Sequence, residues 1–454
     1  MKIKTIYFIF LLLYTSISLS QNSKLKSGPM VGFSEMTEVL LWAQTSEKAT
    51  VQFRYWDKLN SKNKFLSVIE NTNDEKYFTA KIILKNLQPG TFYNYEILIN
   101  GKVSPKDYEL KFQTQKYWQW RTPPPDFSFV FGSCVYVNDI PFERPSGPYG
   151  ADVPTFQEIL KQNPDFMLWL GDNIYYREGD WNTKSGMTYR YTHSRSHKSL
   201  QPVLGSIHNY AIWDDHDYGR DNDDRSYRMK DVSLDLFKNF WGNNSFGLNS
   251  TPGVFGRFTW SDAEFFLLDD RYYRSPNNSP NDENKTMFGK EQFNWLKDVL
   301  INSDATFKFI VNGNQILNTN SKKECLNMFP NELKELLGFL KNNKIKGVIF
   351  LSGDLHYSEV LQHTDSTFYT LYEVTSSSLT AGLDKNPLQQ NSLRVANTLV
   401  NDKHNFSLVK IKGPKENRVA EISLVDFTGT KRWQIEIAAN SLRFTETKAV
   451  NDKK

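Results

Sequence analysis

Short apolar stretches recur between residues 127 and 351, each ending on glycine or polar residues: Phe127 to Phe131, Phe166 to Leu170, Tyr210 to Trp213, Glu264 to Leu268, Phe307 to Val311 and Gly347 to Leu351. Between some of them Phe288, Gln292, Trp295, Leu296, Val299 and Leu300 share one face at helical spacing, as do Leu333, Leu336, Leu337 and Leu340, which predicts helices. Strands alternating with helices imply an α/β layered domain, and in such domains ligands gather beyond the carboxyl ends of the strands. Those ends are where chemistry is to be sought.

A chain of 454 residues exceeds what one core usually serves, so at least two domains are expected. Residues from about 28 to 116 read as a small β-sandwich, with strands at Val39 to Trp42, Ala49 to Tyr55, Phe78 to Leu84 and Tyr93 to Ile99, the last entering an Asn100-Gly101 hairpin turn. The stretch from Asn86 to Tyr95 resembles the turn and tyrosine corner of fibronectin type III domains, in which a phenol ties strand to loop. Trp118 to Pro125 is stiff and aromatic, a spacer expected to pack on a neighbour. From about residue 405 further strands (Phe406 to Ile411, Val419 to Val425, Arg432 to Ile437) predict a β extension of the α/β domain.

Residues 1–20 carry a basic start at Lys2 and Lys4, an apolar run from Ile6 to Leu13, and small residues before a cut near Ser20/Gln21. This is the pattern of a cleaved secretory signal, placing the mature protein in the periplasm or outside the cell. Its removal lowers the formal charge from +4 to +2. No basic tract suited to a nucleic-acid backbone appears, no later segment reads as a transmembrane helix, and a monomer is expected. Two cysteines remain, Cys134 and Cys325; in an oxidising compartment they could pair, although the setting of Cys134 favours a metal ligand.

Four strand ends read alike. Gly132-Ser133-Cys134 follows the first, Gly171-Asp172-Asn173-Ile174-Tyr175 the second, Trp213-Asp214-Asp215-His216-Asp217 the third, and Ser352-Gly353-Asp354-Leu355-His356 the last. Each alone has an ordinary reading: Gly-Asp as a turn, Asp-Asp-His as a helix cap, Cys134 as a small buried hydrophobe. Together they would bring a thiolate, several carboxylates, a phenol and two imidazoles to one place. Glycine ahead of the functional residue is expected to make the sharp turn.

The ordered set G-S-C, G-D-x-x-Y, W-D-D-H-[DE] and S-G-D-x-H resembles the alkaline phosphatase D (PhoD-like) family of the metallophosphatase superfamily. The resemblance covers about 127 to 400 and implies a four-layer α/β/β/α metallophosphatase domain, here 127–440 with its β extension, behind the fibronectin III-like sandwich at 28–116. It implies hydrolysis of phosphate mono- or diesters by a metal-activated hydroxide. Cys134, Asp172, Tyr175 and His356 would hold a first metal, Asp172 would bridge to a second, Asp215 and Asp354 would complete the second site, and His216 would act beside the phosphate. The residue types agree. Thiolate with phenolate favours Fe(3+), and an all-oxygen carboxylate site favours Ca(2+), with Mn(2+), Mg(2+) and Zn(2+) as alternatives.

Between the third and fourth motifs the superfamily usually supplies a ligand, often His. Here Val311 to Gln315 has none, and Asn314 is the candidate. Arg271 and Arg274 are candidate phosphate donors, or structural partners of Asp269 and Asp270. Asp217 and the run Asp221 to Asp224 are candidate calcium ligands or a solvated loop, and His193 and His197 could line the cleft or lie at the surface. The rival reading is a non-catalytic glycan-binding or adhesion protein with a residual metal site. A Cys134 nucleophile is disfavoured, because Ser133-Cys134-Val135-Tyr136 offers no phosphate-cradling loop with arginine.

Overall fold

The computed structural model describes residues 24–319, 324–387 and 391–444; the expected signal segment lies outside them. Two β-sheets lie face to face with helices on their outer sides, the four-layer arrangement expected. One sheet runs Lys431–Ala438, Val419–Asp426, Asn405–Lys412, Phe127–Gly132, Phe166–Leu170, His208–Ile212, Leu25–Ser34, Val39–Thr45 and Thr79–Leu84 in spatial order. The other runs Gly256–Trp260, Ala263–Leu267, Phe307–Val311, Val348–Ser352, Leu371–Thr375 and Glu359–His363. In both, the central strands pair in parallel and are buried along their whole length. Strands covered on both faces need apolar residues at every position, which is why these segments read as unbroken runs.

Aromatic rings knit the sheets together. Phe129 meets Phe265 edge-on at 5.1 Å and Phe309 at 5.3 Å, while Phe265 and Phe309 stack at 4.9 Å; such pairs contribute roughly 0.5–1.5 kcal/mol each beyond their area. Helices Thr155–Lys161, Lys184–Arg195 and Gln201–Ser206 touch the nine-stranded sheet. Lys290–Ile301 and Pro330–Asn342 bury Leu296, Leu300, Leu336 and Leu340 in the same core.

The N-terminal β-rich region is joined to this body through its own sheet. Leu25–Ser34 pairs in parallel with His208–Ile212 and antiparallel with Val39–Thr45. Met30, Leu40 and Trp42 face the main core, whereas Val31, Val39 and Leu41 face a second core shared with Phe53, Tyr95 and Ile97. The seam is hydrogen-bonded as well: His208 Nδ1 lies 2.8 Å from the Gly32 carbonyl oxygen, and Trp42 Nε1 donates to the Asn239 carbonyl at 2.7 Å. The tyrosine corner forms, with the Gln88 amide donating to the Tyr93 hydroxyl at 2.9 Å. The aromatic spacer departs from expectation at Trp120, which stands 97% exposed on a turn. The C-terminal strands extend the large sheet, Asn405–Lys412 pairing antiparallel with Phe127–Gly132.

Candidate metal centre

Each of the four motifs leaves its strand at the same edge of the sheet pair, and in three of them a sharp turn falls on the functional residues themselves. Cys134, Asp172, Asp354 and His356 all adopt left-handed backbone, with φ of 63°, 53°, 66° and 59°. Non-glycine residues rarely do so, and each costs on the order of 1–3 kcal/mol. The preceding glycines serve mainly close approach. A Cβ at Gly171 would lie 2.6 Å from Asp214 Cβ, and one at Gly353 would lie 2.5 Å from Ser133 Cβ.

Two groups of ligand atoms result, each within 4.8 Å: Cys134, Asp172 and His356, and Asp172, Asp215 and His216. Asp172 belongs to both. Cys134 Sγ lies 3.6 Å from Asp172 Oδ2, and the Tyr175 hydroxyl lies 3.0 Å from that oxygen and 3.3 Å from His356 Nε2. Asp172 Oδ1 accepts from the His216 amide at 3.2 Å. His216 stacks on Tyr175 at 4.1 Å and points Nε2 at Asp221, 3.7 Å away. Asp354 stands beside these groups but outside both; its carbonyl oxygen lies 3.5 Å from Cys134 Sγ.

The electrostatics call for positive charge. Burial, then the Asp215 carboxylate and the Cys134 thiolate, push the Asp172 carboxyl well above its ordinary range. Asp354 is raised by burial, Asp215 and Glu324. Burial opposes ionisation of Cys134, yet His356, helped by hydrogen bonds from Ser133 and Ser377, brings the thiol down to about 7. Burial likewise opposes charge on His356, and Cys134 overrides it, lifting the imidazole to about 9. Asp215 is held below the usual carboxylate range against burial by His216 and Arg271. Its Oδ1 is buried without a hydrogen-bond partner, a state that ordinarily costs 1–3 kcal/mol or more. A soft thiolate, a phenol, an imidazole and crowded carboxylates with an orphaned oxygen fit cations of two kinds.

The Asp-Asp-His motif divides its roles between neighbours. Asp214 is the N-cap of the short helix Asp215–Tyr218, in a capping box with Asp217, while Asp215 faces the ligand groups. Asp217 is neither ligand nor solvated: its carboxylate accepts from the backbone amides of Asp214, Asp172 and Asn173 at 2.7, 3.2 and 3.2 Å. In the acidic run, the Asn222 amide donates to Asp215 Oδ2 at 2.7 Å, and Asp221 is 77% exposed.

Several expected site residues are placed elsewhere. Asn314 does not offer its carbonyl to the cluster: Oδ1 accepts from Arg274 Nη1 at 3.0 Å and from Arg271 Nη2 at 3.4 Å. Arg271 and Arg274 are fully buried and pair with Glu324 at 2.6 and 2.9 Å, Arg271 also with Asp214. They sit beneath the site, not in it. Cys134 and Cys325 are both free. His193 lies 3.0 Å from the Asn138 carbonyl oxygen and lines a groove of about 990 Å³ beside Tyr77, away from the motif residues; His197 contacts Ser199.

Three contributors escaped the sequence reading. Ser377 Oγ donates to Cys134 Sγ at 3.1 Å and accepts from the His356 amide at 2.9 Å. It belongs to a serine run immediately after the strand Leu371–Thr375, so the strand-end rule would have reached it had that strand been recognised. Gly382 presents its carbonyl to His356 Nδ1, and the Tyr149 hydroxyl lies 3.5 Å from the same nitrogen. From Tyr175 and His216 a cavity of about 580 Å³ opens outward between Tyr136, Phe142, Trp181 and Arg144.

Comparison with known proteins places this architecture. A family model described as PhoD-like phosphatase matches residues 130–420, and one described as a domain of unknown function (DUF7800) matches residues 22–117. Alkaline phosphatase D of Bacillus subtilis (strain 168) is 24% identical over 371 residues, 68% of this chain; the match spans 60% of that protein's length. A solved structure of PhoD superposes with a TM-score of 0.74 at 18% identity, covering 91% of this chain and 92% of its own. Purple acid phosphatase PPD1 from yellow lupin (Lupinus luteus) gives 0.63 at 11% identity, covering 91% and 74%; these two show the fold. The phosphatase model spans more than half of the sequence, and the chain belongs to the PhoD-like phosphatase family.

Proposed function

We propose that this protein hydrolyses phosphate esters outside the cytoplasm, using cations held by Cys134, Asp172, Tyr175, Asp215, Asp354 and His356. The observation that carries the reading is the shared carboxylate of Asp172, which stands in both ligand groups. Cations bound there would supply Lewis acidity and lower the pKa of a coordinated water to about 7. Cys134 and Tyr175 make the first position suited to Fe(3+), and the carboxylates of Asp215 and Asp354 make the second suited to Ca(2+).

The chain's own contribution is position and proton control. Asp217 fixes the backbone of both Asp172 and Asp214 through its amide contacts, so the bridging carboxylate and the helix bearing Asp215 and His216 keep one relative geometry. His216 lines the cavity. Burial holds its pKa down against the pull of Asp215 and Asp221, leaving a neutral imidazole whose ring N–H can donate a hydrogen bond to a phosphoryl oxygen. The basic, apolar and small-residue pattern of residues 1–20 supports export, and among the described residues no helix is long and apolar enough to cross a membrane.

Metal analysis of the purified protein, with turnover of p-nitrophenyl phosphate and bis(p-nitrophenyl) phosphate, tests the reading. Iron and calcium should co-purify with activity on at least one ester. Full activity with zinc alone would overturn the ligand assignment, and a metal-loaded protein inert toward both esters would favour the glycan-binding reading.

A further inference from the structure

The guanidinium groups expected to meet the phosphate are locked away with Glu324, yet another stands at the mouth of the site. Arg144 is exposed and lines the cavity that Tyr175 and His216 also line. Its guanidinium carbon lies 3.9 Å from the centroid of the Tyr149 ring, whose hydroxyl reaches His356. Other arginines of this region are committed. Arg190 pairs with Asp139 and Asp180, Arg220 with Asp223, and Arg177 gives Nη1 and Nη2 to the carbonyls of Tyr175 and Val137. Among the described residues Arg144 forms no ion pair with a carboxylate.

We propose that Arg144 grips a terminal phosphate oxygen and thereby makes this enzyme prefer phosphate monoesters over diesters. The inference rests on the hydrolase reading above. A monoester presents three terminal oxygens and a diester two, the third position carrying a neutral ester oxygen and its substituent. The cluster and His216 can serve two of these oxygens, and the third faces the cavity. A guanidinium there finds a charged acceptor in the monoester and bulk in the diester, so its contribution is selective.

The experiment compares wild type, Arg144→Ala and Arg144→Lys, all metal-loaded, on p-nitrophenyl phosphate and bis(p-nitrophenyl) phosphate, and measures binding of inorganic phosphate by calorimetry. Arg144→Ala should lower monoester kcat/KM by about 10- to 100-fold, the range for a charge-assisted hydrogen bond. Diester kcat/KM should fall by a clearly smaller factor and the melting temperature should hold, phosphate affinity should fall about tenfold, and Arg144→Lys should restore part of the losses. Equal losses on the two esters, or unchanged phosphate affinity in Arg144→Ala, overturn the assignment. If wild type turns over neither ester, the hydrolase reading falls, while the phosphate affinities still decide the role of Arg144.

Discussion

Two clusters of buried charge share the sequence Asp214-Asp215 as their border, and they solve the same problem in opposite ways. Below it, Asp214 and Glu324 are neutralised by Arg271 and Arg274. Above it, Asp215, Asp172, Asp354 and Cys134 face one another, and one Asp215 oxygen has no partner. Desolvating charge is expensive wherever it occurs. The lower cluster draws its arginine partners from the chain, although Asp270 Oδ1 there also lacks a hydrogen bond; among the described residues, the ligand groups of the upper one have no arginine in direct contact. The difference teaches where binding energy is reserved: the arginines bond Asp214 and Glu324 and reach Asp215 only through the field of Arg271, so its carboxylate stays ionised with an oxygen left to bind.

The largest effect should follow from cutting the shared ligand. Asp172→Asn keeps the side-chain shape but removes the charge common to both ligand groups; metal should be lost from both positions by elemental analysis, and turnover should fall on the order of 10²–10³-fold. Retention of full metal content would break the contrast between the clusters. Arg271→Ala should strike stability instead, by about 3–5 kcal/mol in urea titrations, because it strands Asp214 in the interior and leaves Glu324 with Arg274 as its one ion-pair partner. A milder loss, comparable to that of a surface ion pair, would mean the lower cluster reaches water. Chelation should cost wild type about 2.7 kcal/mol relative to protein held at a hundred times its metal dissociation constant, and Asp172→Asn should show no such difference.

The smallest effect concerns a third way of burying a carboxylate. Glu373 is pushed up to about 7 by burial, which the amides of Ile316 and Leu317 only partly offset. A carboxyl whose folded pKa is raised favours the folded state below its unfolded pKa, and that advantage is lost as pH rises through about 7. Glu373→Gln should therefore flatten the decline of the unfolding free energy with pH between about pH 4.5 and 7. An unchanged pH slope would show that amide donors suffice to hold the charged form.

Much of this was legible in residue order. The strands Phe166–Leu170 and Phe307–Val311 match their apolar runs residue for residue, because a strand covered on both faces leaves its whole length in the hydrophobic pattern. Cys134, Asp172, Asp215, His216 and His356 were found by their place after strands, and the structure gathers them. For Arg271 and Arg274 the structural alternative matches the pairing seen, but with Glu324, about fifty residues away, as the main partner; nothing local announces that pairing or the contact of both arginines with Asn314. The turn was assigned to glycine, and Gly171 does take a positive φ of 90°, but Cys134, Asp172 and Asp354 turn as well; a left-handed residue leaves no compositional mark unless glycine itself occupies it. Leu25–Ser34 lay hidden because Lys26, Ser27 and Gly28 dilute its apolar character.

The continuity of the nine-stranded sheet has a bearing on any attempt to trim this molecule. Cutting the chain before Phe127 would strip Leu25–Ser34 from His208–Ile212 and bare the flank of a strand immediately upstream of Asp215. An uncovered flank of that kind recruits foreign strands and seeds aggregation. The leading segment thus acts as a selvedge for the fabric that carries the proposed metal ligands, and a minimal version of the protein would have to retain it or supply a substitute hem.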